Sequence, residues 1–324
     1  MNEISAQLVK QLRDKTGAGM MECKKALQES NGDLEQAEVV LRKRGLAGAV
    51  KKEGRSTKQG LIASYISADA KSGVLLEVNC ESDFVARTED FQTLAADIAA
   101  HIAETRPKVV RVEEVTEAER ANFKAHEALY EQKFAKDANT TVADLIKTKI
   151  AKLGENINIS RFVVYDLEQS GVVGSYVHTG SQIGVLLEVD APGTLAGKPE
   201  FKTLVHDVAM QVAAANPQCV SRENVPSELL SKERDIQRER ARGEGKPEKM
   251  LDKIVEGRMS KFYEEICLLD QPFIRENTVS VGELIKTASA KLGGDIHVAR
   301  FVRYKVGDAG DVAGVQESPI PVTA

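Results

Sequence analysis

Tryptophan is absent from the 324 residues, and aromatic side chains make up only 5% of them. A large interface must therefore rest on aliphatic groups and a few rings. No apolar run approaches the roughly 20 residues that span a bilayer, so no membrane contact is expected. The four cysteines, Cys23, Cys80, Cys219 and Cys267, are far apart in sequence and form no C-x-x-C pair. Neither a disulfide framework nor a zinc site is indicated, and free thiols fit a reducing compartment. The opening stretch, MNEISAQLVKQLRDK, lacks the apolar core of a signal peptide and is too acidic for a transit peptide. A cytoplasmic location is expected.

Catalytic signatures are missing as well. There is no G-x-S-x-G, P-loop or dinucleotide fingerprint, and no histidine pair has H-x-x-x-H spacing. His101 and His206 lie in helical stretches and are expected at the surface or half-buried, in structural roles. TGAGMMECKK (16–25) holds glycines and ends in lysines, but no strand precedes it, so it reads as a helix corner and not a phosphate loop. No cofactor and no metal are expected. The net charge of −5 argues against a nucleic-acid partner. The charge is uneven: residues 1–58 carry 12 Lys/Arg against 8 Asp/Glu, a mildly basic head on an acidic body.

Apolar periodicity reads that head as three short helices over 3–53. Ile4, Leu8 and Leu12 stripe the first, and Met20, Cys23 and Leu27 open the second. Asp33, with Gln36 three residues on, caps the third, which is expected to end at Gly45. KKEGRSTKQG (51–60) reads as a linker.

The body contains an internal repeat. SYISADAKSGVLLEV from Ser64 and SYVHTGSQIGVLLEV from Ser175 stand 111 residues apart. VADLIKTKIAKLGENINISRFVVY (142–165) and VGELIKTASAKLGGDIHVARFVRY (281–304) stand 139 apart. Each copy reads strand, strand, helix, helix, strand. The unequal offsets require an insertion in the second copy, assigned to 222–267: two charged helices around the GEGKP turn, with a narrow apolar seam that suits an antiparallel coiled coil. A further charged helix is expected at 113–137. The fold class is α+β. The domains are a three-helix head (1–54), a linker (55–58), core subdomain N (59–167), core subdomain C (168–221 and 268–305), the inserted hairpin (222–267) and a mobile tail (306–324).

One short segment stands out. ESDFVAR (81–87) sets Phe84 among polar residues, between the strand-like GVLLEVN and a helix-like run with Phe91, Leu94, Ala95, Ile98 and Ile102 on one face. The second copy holds Thr194 and Leu195 there. Composition leaves two readings of Phe84 open: a core residue, or a wedge meant for another protein.

Several stretches together resemble the elongation factor Ts family: LVKQLRDKTGAGMMECKKAL (8–27) with NGDLEQA, LLEVNCESDFVAR (75–87), VHTGSQIGVLLEV (177–189), KLGENINI and VEGRMSKF. The resemblance implies a ubiquitin-associated-like head, a duplicated core of two three-stranded antiparallel sheets and a coiled-coil hairpin. It implies a guanine-nucleotide exchange factor, not an enzyme. Such a factor binds elongation factor Tu, GDP-bound and nucleotide-free, and dislocates its Mg²⁺ and phosphate site. The intruding motif falls on Asp83 and Phe84, with Val85 and Ala86 following. Further contacts fall on Met20, Met21, Lys24, Lys52, His178 and Gly184. On residue type alone, Met20 and Met21 also fit bundle core, Lys24 a solvated lysine and His178 a hairpin turn. The family often ends in a helical module, and the tail with Pro319 and Pro321 lacks that pattern. The other functional reading is a non-catalytic protein-binding module using the head.

Overall fold

A computed structural model of the chain describes residues 4–308. The proposed tail lies outside them from residue 309 on.

The elements begin with α1 (Ala6–Thr16), α2 (Met20–Glu29) and α3 (Leu34–Val50). β1 (Gln59–Ile66), β2 (Ser72–Cys80), a single turn α4 (Asp83–Ala86) and α5 (Glu89–Thr105) follow. Next come α6 (Glu117–Arg120), β3 (Lys133–Phe134), β4 (Asp137–Thr141), α7 (Val142–Leu153) and β5 (Ile157–Asp166). The second copy runs β6 (Gly171–Val177), β7 (Ile183–Asp190), α8 (Pro199–Ala215), α9 (Ser227–Gly243), α10 (Leu251–Ile266), β8 (Pro272–Phe273), β9 (Glu276–Ser280), α11 (Val281–Leu292) and β10 (His297–Lys305).

In the helical head, Leu12, Cys23, Ala26, Leu27 and Ala37 close a small core with Val9 and Leu41. The Gln36 amide donates to Asp33 Oδ1 at 2.9 Å, so Asp33 caps α3 as its spacing predicts. Gly17 ends α1 at φ +68°, a conformation open to glycine. The expected stop at Gly45 is not observed, and α3 runs on to Val50. Gly45 serves packing instead: a Cβ there would lie 2.8 Å from the Ala151 Cβ, so its absence lets α3 and α7 approach closely.

Two three-stranded sheets, β1-β2-β5 and β10-β7-β6, carry the repeat. β7 is central and antiparallel to both neighbours; Gly184 sits opposite Val177 on one side and Tyr304 on the other. β2 is buried along its whole length, as a continuous apolar run requires. Of its buried polar residues, Glu77 meets Arg161 Nε at 2.8 Å, and its repeat equivalent Glu188 meets Arg300 Nε at 2.8 Å. Each carboxylate also accepts a backbone N–H, from Gly307 at 2.8 Å and Glu168 at 3.2 Å respectively. Such pairs act on register more than on net stability.

By contacts, the described residues form two compact units: 4–63 with 76–163 and 306–308, and 64–75 with 164–305. Within the second, the Leu167 and Val173 amides donate to Lys71 and Ala70 carbonyls at 2.9 and 2.7 Å. The division therefore passes through β1 and β2 and not along the linker.

The charged helix expected at 113–137 does not form. That stretch holds α6, short 3-10 turns and the β3–β4 hairpin. A capping box starts α6, where the Glu119 carboxylate accepts from Thr116 N and Oγ. Val115, Leu129, Tyr130 and Phe134 are the large apolar side chains that this stretch buries, Leu129 and Tyr130 from one 3-10 turn and Phe134 from β3. In the second copy, α9 and α10 enter at the equivalent point. Arg234–Glu256 and Arg238–Asp252 pair them so that four steps forward along α9 match four steps back along α10, the mark of antiparallel helices, and Arg242–Glu248 continues the ladder into the 3-10 turn before α10.

At the root of this pair, Cys219 and Cys267 lie with sulfurs 3.5 Å apart, a proximity their 48-residue separation hides. His101 is fully buried, correcting the expectation of a surface or half-buried position. Its Nδ1 accepts the Ala135 amide at 3.1 Å, and Nε2 faces Gln132 Oε1 at 3.0 Å. In the second copy Gln211 makes the same two bonds, accepting from Ile274 N at 2.9 Å and donating to Gln271 Oε1 at 3.1 Å. His206 is exposed, with its ring edge-on to Tyr176.

Candidate protein-docking corner

Phe84 is not a core residue: it is 81% exposed, the most exposed of the large hydrophobic side chains among the described residues. It projects from α4, one helical turn between β2 and α5. The turn is held from both ends. Ser82 Oγ caps it by accepting the Val85 amide at 3.4 Å. Thr88 caps α5, and its hydroxyl donates to Val85 O at 2.8 Å. Val85 and Ala86 were expected in the contact set, but their side chains are buried and fasten the turn to the body. Asp83 is half-buried and pairs with Arg87 at 2.9 Å. That exposed ion pair contributes at most about 1 kcal/mol.

The residues before the turn are clasped from across the unit. Glu155 accepts from Ser82 N at 2.9 Å and from Ser82 Oγ at 2.6 Å. Glu81 accepts the Asn156 amide at 2.7 Å and meets Arg55 at 3.4 Å. The Asn156 side chain donates to the Glu53 and Arg55 carbonyls at 3.1 and 2.9 Å, tying in the segment that leaves the head. Cys80 Sγ donates to Ser82 O at 3.1 Å; burial first, then the Glu155 carboxylate, pushes this thiol up to about 12. Asp90, at the start of α5, meets Lys149 and Lys152 at 3.1 and 2.8 Å, and both hydrogen bonds hold its carboxyl below the usual range. The Lys152 stem runs beneath Gly17, where a Cβ would come within 2.7 Å of it. One lysine thus links the corner to the turn that precedes α2.

On α2, Met20 and Met21 are exposed and are not bundle core; Lys24 is exposed too. Lys52 is half-buried beyond α3. In the other unit, His178 is exposed at the β6–β7 turn, where its Nδ1 meets the Tyr176 hydroxyl at 2.9 Å. Gly184 is buried in the central strand, so it offers no surface to a partner. Sequence reasoning missed Glu155 and Asn156. The signal was present in the repeat, where KLGENI faces KLGGDI. Among the described residues, no cluster of three or more His, Cys, Asp or Glu is placed to hold a metal ion, and no helix is long and apolar enough to cross a membrane.

The architecture is that of an α+β protein with a helical N-terminal region, a repeated antiparallel sheet unit and a rigid corner that holds an aromatic ring out into solvent. Residues 81–308 match the family described as Elongation factor TS. The chain is 46% identical to Elongation factor Ts of Aquifex aeolicus, over 94% of this chain and 98% of that one. It is 44% identical to Elongation factor Ts of Nostoc sp., over 95% and 94%, and 43% identical to that of Clostridium acetobutylicum, over 94% and 93%. The chain belongs to the elongation factor Ts family of translation elongation factors.

Proposed function

We propose that this chain is a guanine-nucleotide exchange factor for elongation factor Tu. It docks on the GDP-bound partner, drives Phe84 and Asp83 into the GTPase domain, and disturbs the Mg²⁺ and phosphate contacts that retain GDP. GTP then enters the emptied site. No covalent bond is made or broken by the factor, so it is not an enzyme in the chemical sense. The exposure of Phe84 on a clasped turn carries this reading. A ring left in water on a rigid support is available for burial in a partner at little ordering cost.

Magnitudes show that the ring does not act alone. A ~10⁴-fold faster release at unchanged on-rate needs about 5.5 kcal/mol of antagonism between factor and nucleotide. Burying one phenylalanine supplies at most ~3 kcal/mol. The remainder comes from anchoring elsewhere. Exposed Met20 and Met21, with Lys24 and Lys52, make the head one anchor, and His178 makes the β6–β7 turn another. Gly184 drops out of the contact set because it is buried. The head acts as a ubiquitin-associated-like module (1–54, with 55–58 as its linker). The core halves 59–167 and 168–221 with 268–305 carry the two contact regions, and 222–267 projects as a coiled-coil hairpin. A cytoplasmic location belongs to the same reading.

The test loads elongation factor Tu with a fluorescent GDP and adds the chain in sub-stoichiometric amounts. Release that accelerates and turns over many partner molecules is the expected result. Detectable binding with unchanged release would reduce the chain to a plain protein-binding module.

A further inference from the structure

Each copy of the repeat has a loop leading from its central strand to the following helix. In the first copy that loop carries Phe84, exposed, and then Val85, buried; in the second it carries Thr194, exposed, and then Leu195, buried. The inward position is thus kept as an apolar anchor in both, and only the outward ring is peculiar to the first. The fold itself does not require a ring at this site.

The turn after the helix that precedes the third strand differs in the same way. Glu155 in the first copy corresponds to Gly294 in the second, 139 residues on. Glu155 closes two hydrogen bonds onto Ser82, the residue that caps the Phe84 turn. Gly294 makes the opposite choice: a Cβ there would stand 2.9 Å from Pro192 Cγ and 3.2 Å from Leu195 Cδ1, so the ring-less loop settles directly on bare backbone. The ring and the carboxylate that braces its turn occur together in one copy and are missing together in the other.

We propose that Glu155 is a positioning residue for the wedge, fixing Ser82 and through it the direction in which Phe84 leaves the surface. This inference rests on the exchange reading above. The bonding accounts for the choice of residue. Ser82 presents two donors to Glu155, its amide and its hydroxyl, while its hydroxyl oxygen still accepts from Val85 N. The two donors meet separate oxygens of Glu155, Oε2 and Oε1, and a carboxamide in the same place sets its NH₂ against one of them. With the clasp cut, α4 keeps its buried anchors Val85 and Ala86 but loses the brace on its first turn. The ring then samples directions that do not match the partner's cleft, and positioning errors of this kind are costly in rate.

The experiment is a double-mutant cycle of Glu155→Gln and Phe84→Ala in the full chain, read as the plateau rate of fluorescent GDP release at saturating factor. Glu155→Gln lowers the plateau by about tenfold or more and leaves the half-saturating concentration close to wild type. The double variant is no slower than Phe84→Ala alone, because Glu155 acts only through the ring. Amide hydrogen exchange of residues 82–87 in the free Glu155→Gln chain becomes faster, while exchange in α5 and β2 stays as in wild type. Glu155→Asp, which keeps both oxygens on a shorter stem, recovers part of the plateau. A wild-type plateau in Glu155→Gln, or losses that multiply in the double variant, would overturn the assignment while leaving the exchange reading intact. A wild-type plateau in Phe84→Ala would overturn the wedge role of Phe84 and this inference with it, and the absence of any acceleration by the wild-type chain would overturn the exchange reading itself.

Discussion

Phe84 forgoes the roughly 2–3 kcal/mol that burial of such a side chain supplies, so native stability does not explain its presence. Phe84→Ala is therefore expected to shift the thermal midpoint by less than about 2 °C. A calorimetric drop of many degrees would make the ring structural. His101 gives a second test at this scale. Burial, partly offset by the Gln132 bond, holds its pKa below the ordinary 6.5. As pH falls below 6.5 the unfolded chain takes up the proton first, so stability is lost in the window beneath 6.5 until native His101 protonates as well. Above that window the group contributes nothing to the pH dependence. Since Gln211 makes the same bonds in the other copy, His101→Gln should fold normally and flatten the pH dependence of urea stability just below 6.5. An unchanged slope would show that another group titrates there. Cys80, pushed up to about 12, stays a protonated thiol near neutral pH. Native-state alkylation should be slow there and become fast on unfolding. ESDFVAR was legible as unusual from its residues, yet whether its ring faced in or out was not. Exposure is decided by neighbours such as Glu155, 73 residues from Ser82, and His101 likewise finds its partners 31 and 34 residues away.

The elements show where periodicity suffices and where it fails. The apolar stripe of α5 was readable because Phe91, Leu94, Ala95, Ile98 and Ile102 share one face, and all five are buried. The inserted helix pair was readable from its charge and its Gly/Pro turn, but its seam only in part: Met259 and Ile266 are buried, while Met250 is exposed and Leu251 and Val255 are buried instead. The 113–137 stretch had the charge of a helix without a continuous stripe, and charge alone does not fold one. Gly45 shows the limit of reading glycine as punctuation. Within α3 its lack of a side chain admits α7, a tertiary reason invisible in a window of sequence. Gly45→Ala sets a helix-propensity gain of about 1 kcal/mol against overpacking of about 1–3 kcal/mol. The Ala151 Cβ is no flexible side-chain end that could swing aside. The clash should win, giving net destabilisation in urea melts. A stabilised variant would mean that α3 and α7 separate readily.

For the molecule as a whole, the repeat was the most legible feature. Its two offsets located the insertion, and equivalent residues make equivalent bonds at Glu77–Arg161 and Glu188–Arg300. The passage of the unit boundary through β1 and β2 was not legible, because it depends on bonds such as Leu167 to Lys71. Linkage constrains function at the same scale. On the proposed exchange function, the factor by which the chain weakens GDP binding to its partner must equal the factor by which GDP weakens binding of the chain. Titrating the chain against nucleotide-free and GDP-loaded elongation factor Tu should return the same ratio as GDP titrations with and without the chain. The most direct measurement of the central claim is the plateau rate of GDP release at saturating factor, wild type beside Phe84→Ala, with equal melting temperatures verified first. The account predicts a plateau lower by at least about tenfold for the variant, or ~1.4 kcal/mol of lost antagonism. Two equal plateaus would contradict it.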